Sequence, residues 1–139
     1  MAVEAPWFEH EKLGVYQETI AFISWLSALL EELQRAGDIR DQLDRASSSI
    51  ALNIAEGNGK FSVKDRCRFF DTAHGSALER AAGLDVLVAR AKARREQIEP
   101  GKERLQRIVR MLYGLIKRNS NRPYERNEAK PETDSTSRS

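Results

Sequence analysis

The segment from residue 41 to residue 59 reads DQLDRASSSIALNIAEGNG and decides the fold class. Its apolar residues recur at intervals of three and four, which places them on one side of an α-helix, and none of the alternation typical of a β-strand occurs. Gly57 and Gly59 break the pattern and predict the end of this helix. Its apolar face consists of Ile39, Leu43, Ala46, Ile50 and Ile54.

A similar helix is predicted before this segment, from Leu13 to Ala36. Gly37 suits the C-terminal cap of that first helix, and Asp38 suits the N-cap of the second. The apolar face of the first helix is predicted from the same spacing to consist of Tyr16, Ile20, Ile23, Leu26, Leu30 and Leu33.

Two more helices are predicted after the segment. Ser62 and Asp65 have the spacing of a capping box and mark the start of the third helix. Pro100 suits the first turn of a fourth helix, which fades near Asn119. The predicted apolar residues are Phe70, Ala73, Ala77, Leu84, Leu87 and Ala91 in the third helix, and Leu105, Ile108, Leu112, Leu115 and Ile116 in the fourth.

The 139 residues are enough for one modest domain. We predict an N-terminal arm over residues 1–12 and an all-α, antiparallel up-down four-helix bundle over residues 13–118, because short links join helices of similar length. Residues 119–139 lack Leu, Ile, Val, Met, Phe and Trp and are predicted to be a disordered tail.

Several classes of protein are excluded by composition. The longest uncharged apolar run, from Thr19 to Leu30, is too short to cross a membrane. The acidic N-terminus does not resemble a signal peptide, so we expect a cytoplasmic protein. A single cysteine, Cys67, rules out an internal disulfide and a multi-cysteine zinc site, and no motif for a metal or cofactor occurs.

Charge is distributed unevenly along the chain. The total is only +2, but residues 60–139 are strongly basic, and residues 90–118 hold 10 Lys+Arg against 3 Asp+Glu. Such a concentration suits contacts with the phosphates of RNA or DNA, or else it balances the acidic first two helices within the bundle or a neighbouring subunit. Tyr113 adds the one aromatic ring among these basic residues, and its neighbours imply that it belongs to the core, so we expect binding through the nucleic-acid backbone. The candidate contact residues are Arg90, Arg94, Arg95, Arg104, Arg107, Arg110, Lys117 and Arg118.

Polar residues follow the apolar faces of the second and third helices at helical spacing. We predict that the two polar stripes face each other in a structural network, with Gly75 and Gly83 reducing bulk at the contact. Glu56, near the negative end of its helix, is expected to need a cationic or donor partner such as Arg45 or an arginine from another subunit. Glu56→Ala or Asn53→Leu is expected to lower stability or to break the oligomer. The stripes contain Arg45, Ser49, Asn53 and Glu56, and Arg68, Thr72, Ser76 and Glu79.

The motifs Asn53–Gly57, Gly75-Ser76 and Glu79, together with Arg45-Ala46, Ser49-Ile50, Phe69 and Ala73, resemble a family of four-helix bundles. That family includes proteins encoded in intervening sequences of bacterial large-subunit rRNA genes and the accessory protein of diversity-generating retroelements. The resemblance covers roughly residues 8–118. It implies a ring-like homopentamer that contacts nucleic acid through a basic surface, or an adaptor for a protein such as a reverse transcriptase.

One pair of residues in the third helix offers a catalytic alternative to this non-enzymatic interpretation. Arg68 and His74 have the Arg-x5-His spacing seen in helical-bundle ribonucleases of the HEPN type, but Phe69 follows the arginine where those enzymes favour a polar residue. A single histidine on a helix is more often a structural or solvent-facing group. We therefore expect no enzymatic activity, with RNA cleavage through Arg68 and His74 as the less favoured alternative.

Overall fold

The computed structural model describes residues 5–33 and 37–120 and consists of helices, with no strand among these residues. Helix α3 packs along both α2 and α4, and α1 closes the bundle against α2 and α4. The connections are short, so neighbouring helices run antiparallel. The predicted all-α four-helix bundle is confirmed. Its elements are a 3-10 helix over Glu9–Lys12 and the α-helices α1 (Gly14–Glu32), α2 (Gly37–Asn58), α3 (Val63–Ala89) and α4 (Arg95–Ser120).

One hydrophobic core runs between the four helices. Phe22 of α1 and Phe70 of α3 are its largest side chains and are completely buried. Burying a side chain of this kind contributes about 1.5–3 kcal/mol, so these positions hold the helices together. The other large, fully buried side chains are Leu26, Leu30, Leu43, Ile50, Ile54, Leu84, Leu87, Leu105, Ile108 and Leu112.

The buried face of α1 is rotated by one residue in its first half relative to the prediction. Ile20 is 44% exposed, whereas Thr19 is fully buried. The Thr19 hydroxyl donates to the carbonyl oxygen of Val15 at 2.8 Å, which removes the penalty of burying it. The spacing of apolar residues did not predict this face, because the polar Thr19 interrupts it. The residues that α1 buries are Val15, Thr19, Phe22, Leu26, Leu29 and Leu30.

The boundary between α1 and α2 differs from the predicted one. Helix α1 ends at Glu32, since Leu33 turns to an extended backbone conformation (φ −88°, ψ 94°) while remaining buried in the core. Gly37 begins α2 instead of capping α1, so Asp38 lies inside the helix and not at its N-cap. The predicted helical residues 34–36 lie outside the described residues.

The turn between α2 and α3 is largely as predicted. Ser62 caps α3, its hydroxyl accepting a bond from the backbone N–H of Asp65 at 3.0 Å. Gly57, however, lies within α2 and allows close packing: a Cβ there would come within 2.9 Å of the Phe70 ring and 3.0 Å of the Phe69 Cβ. The helix continues one residue further, to Asn58.

The connection between α3 and α4 corrects two predictions. Ala91 is exposed and has a positive φ of 59°, so it does not extend the apolar face of α3. It occupies the left-handed position of a Schellman turn, in which the Lys92 N–H bonds to the Leu87 carbonyl at 2.8 Å. Helix α4 then begins at Arg95, because Gln97 Oε1 accepts the Arg94 N–H at 2.8 Å and caps the start.

Helix α4 begins five residues earlier than predicted, so Pro100 lies in its second turn and not in its first. The adjacent Gly101 is buried against Trp25 of α1, and this close approach holds that part of α4 in the bundle. Helix α4 continues to Ser120, two residues beyond the predicted end of the bundle, and Asn119 is buried. The predicted disorder of residues 121–139 lies outside the described residues.

The N-terminal arm packs back onto the start of α1. The His10 ring stacks on Phe8 at a centroid distance of 5.9 Å and meets the Tyr16 ring edge-on at 4.7 Å. The Gln17 side chain donates to the carbonyl oxygen of Glu11 at 2.9 Å. Among the described helices, none is both long and apolar enough to span a membrane.

Candidate nucleic-acid interface

The basic residues predicted as one surface occupy two separate places. Arg90, Arg94 and Arg95 lie in or beside the connection that precedes α4. The others follow along α4, and its rise of 1.5 Å per residue places Arg95 and Arg118 about 34 Å apart along the axis. The eight candidates therefore do not form one compact patch.

Two of the α4 candidates are occupied by an acidic residue of α1. Glu18 Oε2 accepts bonds from Arg104 Nη1 at 2.9 Å and from Arg107 Nε and Nη2 at 3.2 and 2.9 Å. The Glu18 side chain is only 18% exposed, so these charge-assisted bonds are partly shielded from water. Arg104 and Arg107 thus hold α1 against α4. This is the charge balance within the bundle that the sequence left open as an alternative to nucleic-acid contact.

A second ion pair links α3 to α4. Lys102 Nζ lies 2.8 Å from Asp85 Oδ1. Both side chains are substantially exposed, so the pair contributes little to stability, but it neutralises one more cation of the basic segment.

Three candidates near the end of α4 remain available. Arg110, Lys117 and Arg118 are exposed, and no described carboxylate lies within ion-pair distance of them. A rotation of 100° per residue places the three within an arc of about 100°. Arg110 and Arg118 also border a groove of about 250 Å³ between α4 and the start of α1, lined in part by Met111. We refer to Arg110, Lys117 and Arg118 as the open basic surface.

An aromatic ring lies within the open basic surface. Lys117 Nζ is 5.8 Å from the centroid of the Tyr113 ring, and Tyr113 is exposed, not part of the core. The ring orients the ammonium group without neutralising its charge.

The candidates in the α3–α4 connection are less well placed. Arg94 Nε lies 3.9 Å from Glu96 Oε2, and both side chains are exposed. Arg90 is the C-cap residue of α3, and Arg95 is the first residue of α4. Carboxylates at Glu96 and Glu99 follow within one turn, so the local positive charge is smaller than at the open basic surface.

The polar network between α2 and α3 forms, but with only three of the eight residues predicted for the two stripes. The hydroxyls of Ser49 and Ser76 lie 3.2 Å apart across the two helices. Asn53 Nδ2 donates to the Ser49 carbonyl oxygen at 2.8 Å and to its hydroxyl at 3.1 Å. These three residues are half-buried and form a compact contact between the helices.

The remaining predicted members lie elsewhere. Glu56 pairs with Lys60 on the next turn at 3.4 Å and not with Arg45, and its side chain is exposed. Arg45 and Glu79 both line a shallow surface depression, and Glu79 lies 3.7 Å from the guanidinium of Arg80. The prediction that Glu56 takes a cationic partner is confirmed, with a different partner.

Arg80 is only 5% exposed, although it was not among the residues predicted from the sequence. Burial lowers the pKa of its guanidinium, and the neighbouring Glu79 carboxylate opposes that shift. The signal that predicts its burial is helical spacing, because Arg80 lies on the same face of α3 as Ala73, Ala77 and Leu84.

A second missed residue, Arg66, joins three segments of the chain. Its Nη1 donates to the carbonyl oxygens of Asn58 and Lys60 at 2.8 and 3.2 Å, and its Nε donates to Asn119 Oδ1 at 3.1 Å. Asn119 in turn donates to the Leu115 carbonyl oxygen at 2.7 Å. Arg66 therefore fastens the α2–α3 turn to the last turn of α4.

The residues of the catalytic alternative do not share a face. Arg68 and His74 are six positions apart on α3, which places them about 120° apart around the helix. Arg68 lies 3.4 Å from Asp65 and stacks over the Phe69 ring at 4.7 Å, whereas His74 is half-buried on another side. Over the described ranges, no group of His, Cys, Asp and Glu could hold a metal ion.

Comparison with known proteins agrees with the fold. Residues 11–114 match the family model described as 23S rRNA-intervening sequence protein. The chain is also similar to the crystal structure of a protein of unknown function from the S23 ribosomal protein family of Bacteroides thetaiotaomicron, with a TM-score of 0.69 and 24% identity over 74% of this chain and 98% of the other. At that identity the likeness concerns the fold alone. A search of curated proteins found no match.

Proposed function

Since the chain belongs to the 23S rRNA-intervening sequence protein family, we propose that it is a non-enzymatic, oligomeric four-helix bundle that binds nucleic acid in the cytoplasm. The observation that carries this proposal is the open basic surface, whose three cations have no acidic partner among the described residues. Cations of this kind are free to replace the counterions of a phosphate backbone.

Binding through this surface is expected to depend strongly on salt and weakly on sequence. Each phosphate contact steepens the dependence of log affinity on log salt by about 0.9 for duplex DNA. The test is a fluorescence-anisotropy titration with labelled RNA and DNA at two salt concentrations. Absence of binding to every probe at low salt would overturn the proposal.

Helix α4 supplies a matched pair of variants for this test. Lys117→Ala/Arg118→Ala removes two charges from the open basic surface and is expected to lower affinity, reducing the salt slope by about two contacts. Arg104→Ala/Arg107→Ala removes the same charge from the same helix, but these residues bind Glu18. It is expected to lower the melting temperature while retaining most of the salt slope. Equal loss of affinity in both variants would show that only total charge matters.

We propose that the bundle assembles as a homopentamer, on the basis of the resemblance and the small size of its core. A ring would repeat the open basic surface around one axis and add avidity for a long polyanion. Multi-angle light scattering is expected to give five times the 15.8 kDa mass of the chain. A monomeric mass would remove this part of the proposal.

A second candidate function is an adaptor for a protein such as a reverse transcriptase. A groove of about 630 Å³ between α3 and α4 favours it. The groove is lined by apolar residues such as Leu78 and Val109 together with charged residues such as Lys102 and Glu103, and a mixed lining of this kind suits a protein surface. Leu78→Asp is expected to abolish capture of a purified reverse transcriptase while leaving RNA affinity unchanged. The less favoured ribonuclease function is tested by incubating labelled RNA with the protein and with its His74→Ala variant, and we expect no cleavage by either.

A further inference from the structure

Phe61 is the most exposed large apolar side chain of the described residues, with a relative exposure of 101%. It lies in the turn of residues 59–62 between α2 and α3, next to Lys60. Its ring gains nothing from the core, since apolar surface contributes to folding only when it is removed from water. The ring is therefore available to a ligand.

The turn that carries Phe61 is anchored on both sides. Arg66 binds the carbonyl oxygens of Asn58, the last residue of α2, and of Lys60, within the turn. Ser62, the residue after Phe61, caps α3 through its hydroxyl. Because these bonds hold the backbone before and after residue 61, presenting the ring to a ligand requires little ordering of the loop.

Several cations lie in or next to the turn that carries Phe61. Lys60 Nζ and Arg68 Cζ lie 5.2 and 4.7 Å from the centroid of the neighbouring Phe69 ring. Lys60 and Arg68 also approach Glu56 and Asp65, each at 3.4 Å and at exposed positions where ion pairs are weak. Lys64, in the first turn of α3, is exposed and has no acidic partner among the described residues.

The turn lies at the same end of the bundle as the open basic surface. Arg66 bonds to Asn119, and Cys67 Sγ lies 3.8 Å from the Ile116 carbonyl oxygen and 3.6 Å from Ser120 Oγ. The last turn of α4, which follows Lys117 and Arg118, is thus packed against the first turns of α3.

We infer that Phe61 is a stacking platform for an unpaired base of single-stranded nucleic acid, with Lys64 and Lys60 beside it to contact the flanking phosphates. An exposed aromatic ring on an anchored turn, with lysines one and three residues away in the chain, matches this ligand, because a base stacks on the ring face and the phosphates bind the positive charges. A duplex offers no unstacked base to the ring. The inference rests on the proposed function and narrows its ligand to single strands.

The test compares two fluorescent probes, an oligouridine of about a dozen nucleotides and an RNA duplex of similar length. Phe61→Ala is expected to weaken single-strand binding on the order of 5- to 100-fold and to leave duplex binding within about 2-fold. Phe61→Trp should retain single-strand affinity, whereas Phe61→Leu, which keeps apolar surface but loses the aromatic face, should lose it. Val86→Ala, which truncates another exposed apolar side chain on α3, serves as the control and should change neither.

The outcomes separate this inference from the function on which it rests. Unchanged single-strand affinity in Phe61→Ala, or full affinity in Phe61→Leu, overturns the stacking role while leaving the basic surface as the binding site. Binding of the duplex but not of the single strand by the wild-type protein would also overturn the stacking role and leave the basic surface as the binding site. Failure to bind either probe overturns both. One further outcome would also contradict the inference: Phe61→Ala changes the mass of the assembly in light scattering but keeps the single-strand affinity per subunit. The Phe61 side chain would then be a contact between subunits.

Discussion

Helix α1 is held against α4 by charged side chains and a large ring, whereas α2 is held against α3 by small residues in close contact. In the first contact Glu18 lies between Arg104 and Arg107, and Trp25 covers Gly101. In the second, Ser49 meets Ser76, and Gly57 admits Phe70; there the polar bonds are neutral and the packing is close.

Because these two contacts differ in kind, the two halves of the bundle are expected to respond to different conditions. Charged contacts weaken as salt rises, because the attraction between partly exposed ions is screened. Close packing of small and apolar residues is insensitive to salt and sensitive to volume. We therefore expect α1–α4 to be the salt-dependent contact and α2–α3 to be the volume-dependent one.

The largest effect is expected from adding a methyl group to the α2–α3 contact. Gly57→Ala places a Cβ within 2.9 Å of the fully buried Phe70 ring, which has no space to move. Overpacking costs up to about 3 kcal/mol, and the gain in helix propensity returns about 1 kcal/mol, so we expect a net loss of about 2 kcal/mol in the free energy of unfolding. Urea denaturation measures it.

Gly75→Ala is the matched control for this prediction. Gly75 was predicted to reduce bulk at the contact, but nothing lies within 4 Å of a Cβ at that position, so this prediction is wrong. The substitution is expected to stabilise α3 by up to about 1 kcal/mol through helix propensity alone. Destabilisation by both variants to the same extent would contradict the close packing at Gly57.

The next effect concerns the charged contact. Glu18→Gln keeps the shape of the side chain and removes the charge that two arginines share, so we expect a loss of about 1.5 kcal/mol at low salt. The loss should shrink in high salt, where the wild-type contact is already screened. Thermal unfolding of both proteins at low and high salt checks it, and a loss that does not vary with salt would make the contact one of packing.

The smallest effect is expected at the serine pair. Ser76→Ala removes one neutral hydrogen bond and leaves Ser49 bonded to Asn53, so we expect a loss of about 0.5–1 kcal/mol that does not vary with salt. Glu56→Ala is its control and should cost less than about 0.5 kcal/mol, because that ion pair is exposed. A larger loss in Glu56→Ala would restore the role that the sequence pattern predicted for Glu56.

The four helices and most of their buried faces could be predicted because helical spacing and capping are local properties of the chain. The faces of α2 and α3 follow the apolar spacing, and Ser62 caps α3 as expected. On α1 two faces compete, and the buried one contains Thr19, which becomes suitable only by bonding to Val15. Pro100 was likewise a misleading signal, because α4 begins at Arg95, where the Gln97 side chain accepts the Arg94 N–H.

The candidate site was less predictable, because its members are selected by distant partners. Counting charges treated Arg104 and Arg110 alike, but Glu18, 86 residues before Arg104, occupies one of them. Similarly, Glu56 pairs with Lys60, which lies just beyond the end of α2, and not with Arg45. The spacing along one helix predicts which residues lie on the same side of it. Which of those residues then bind a partner depends on how the neighbouring helix is rotated, and the spacing does not contain that information.

The bond between Arg66 and Asn119 has a consequence for the order in which the protein matures. The two residues are 53 positions apart, and Asn119 is the last buried residue of α4. During synthesis, the α2–α3 turn leaves the ribosome well before the residue that completes its anchorage. The turn that displays Phe61 therefore acquires its final rigidity only after α4 has formed and docked, so this end of the molecule is finished last.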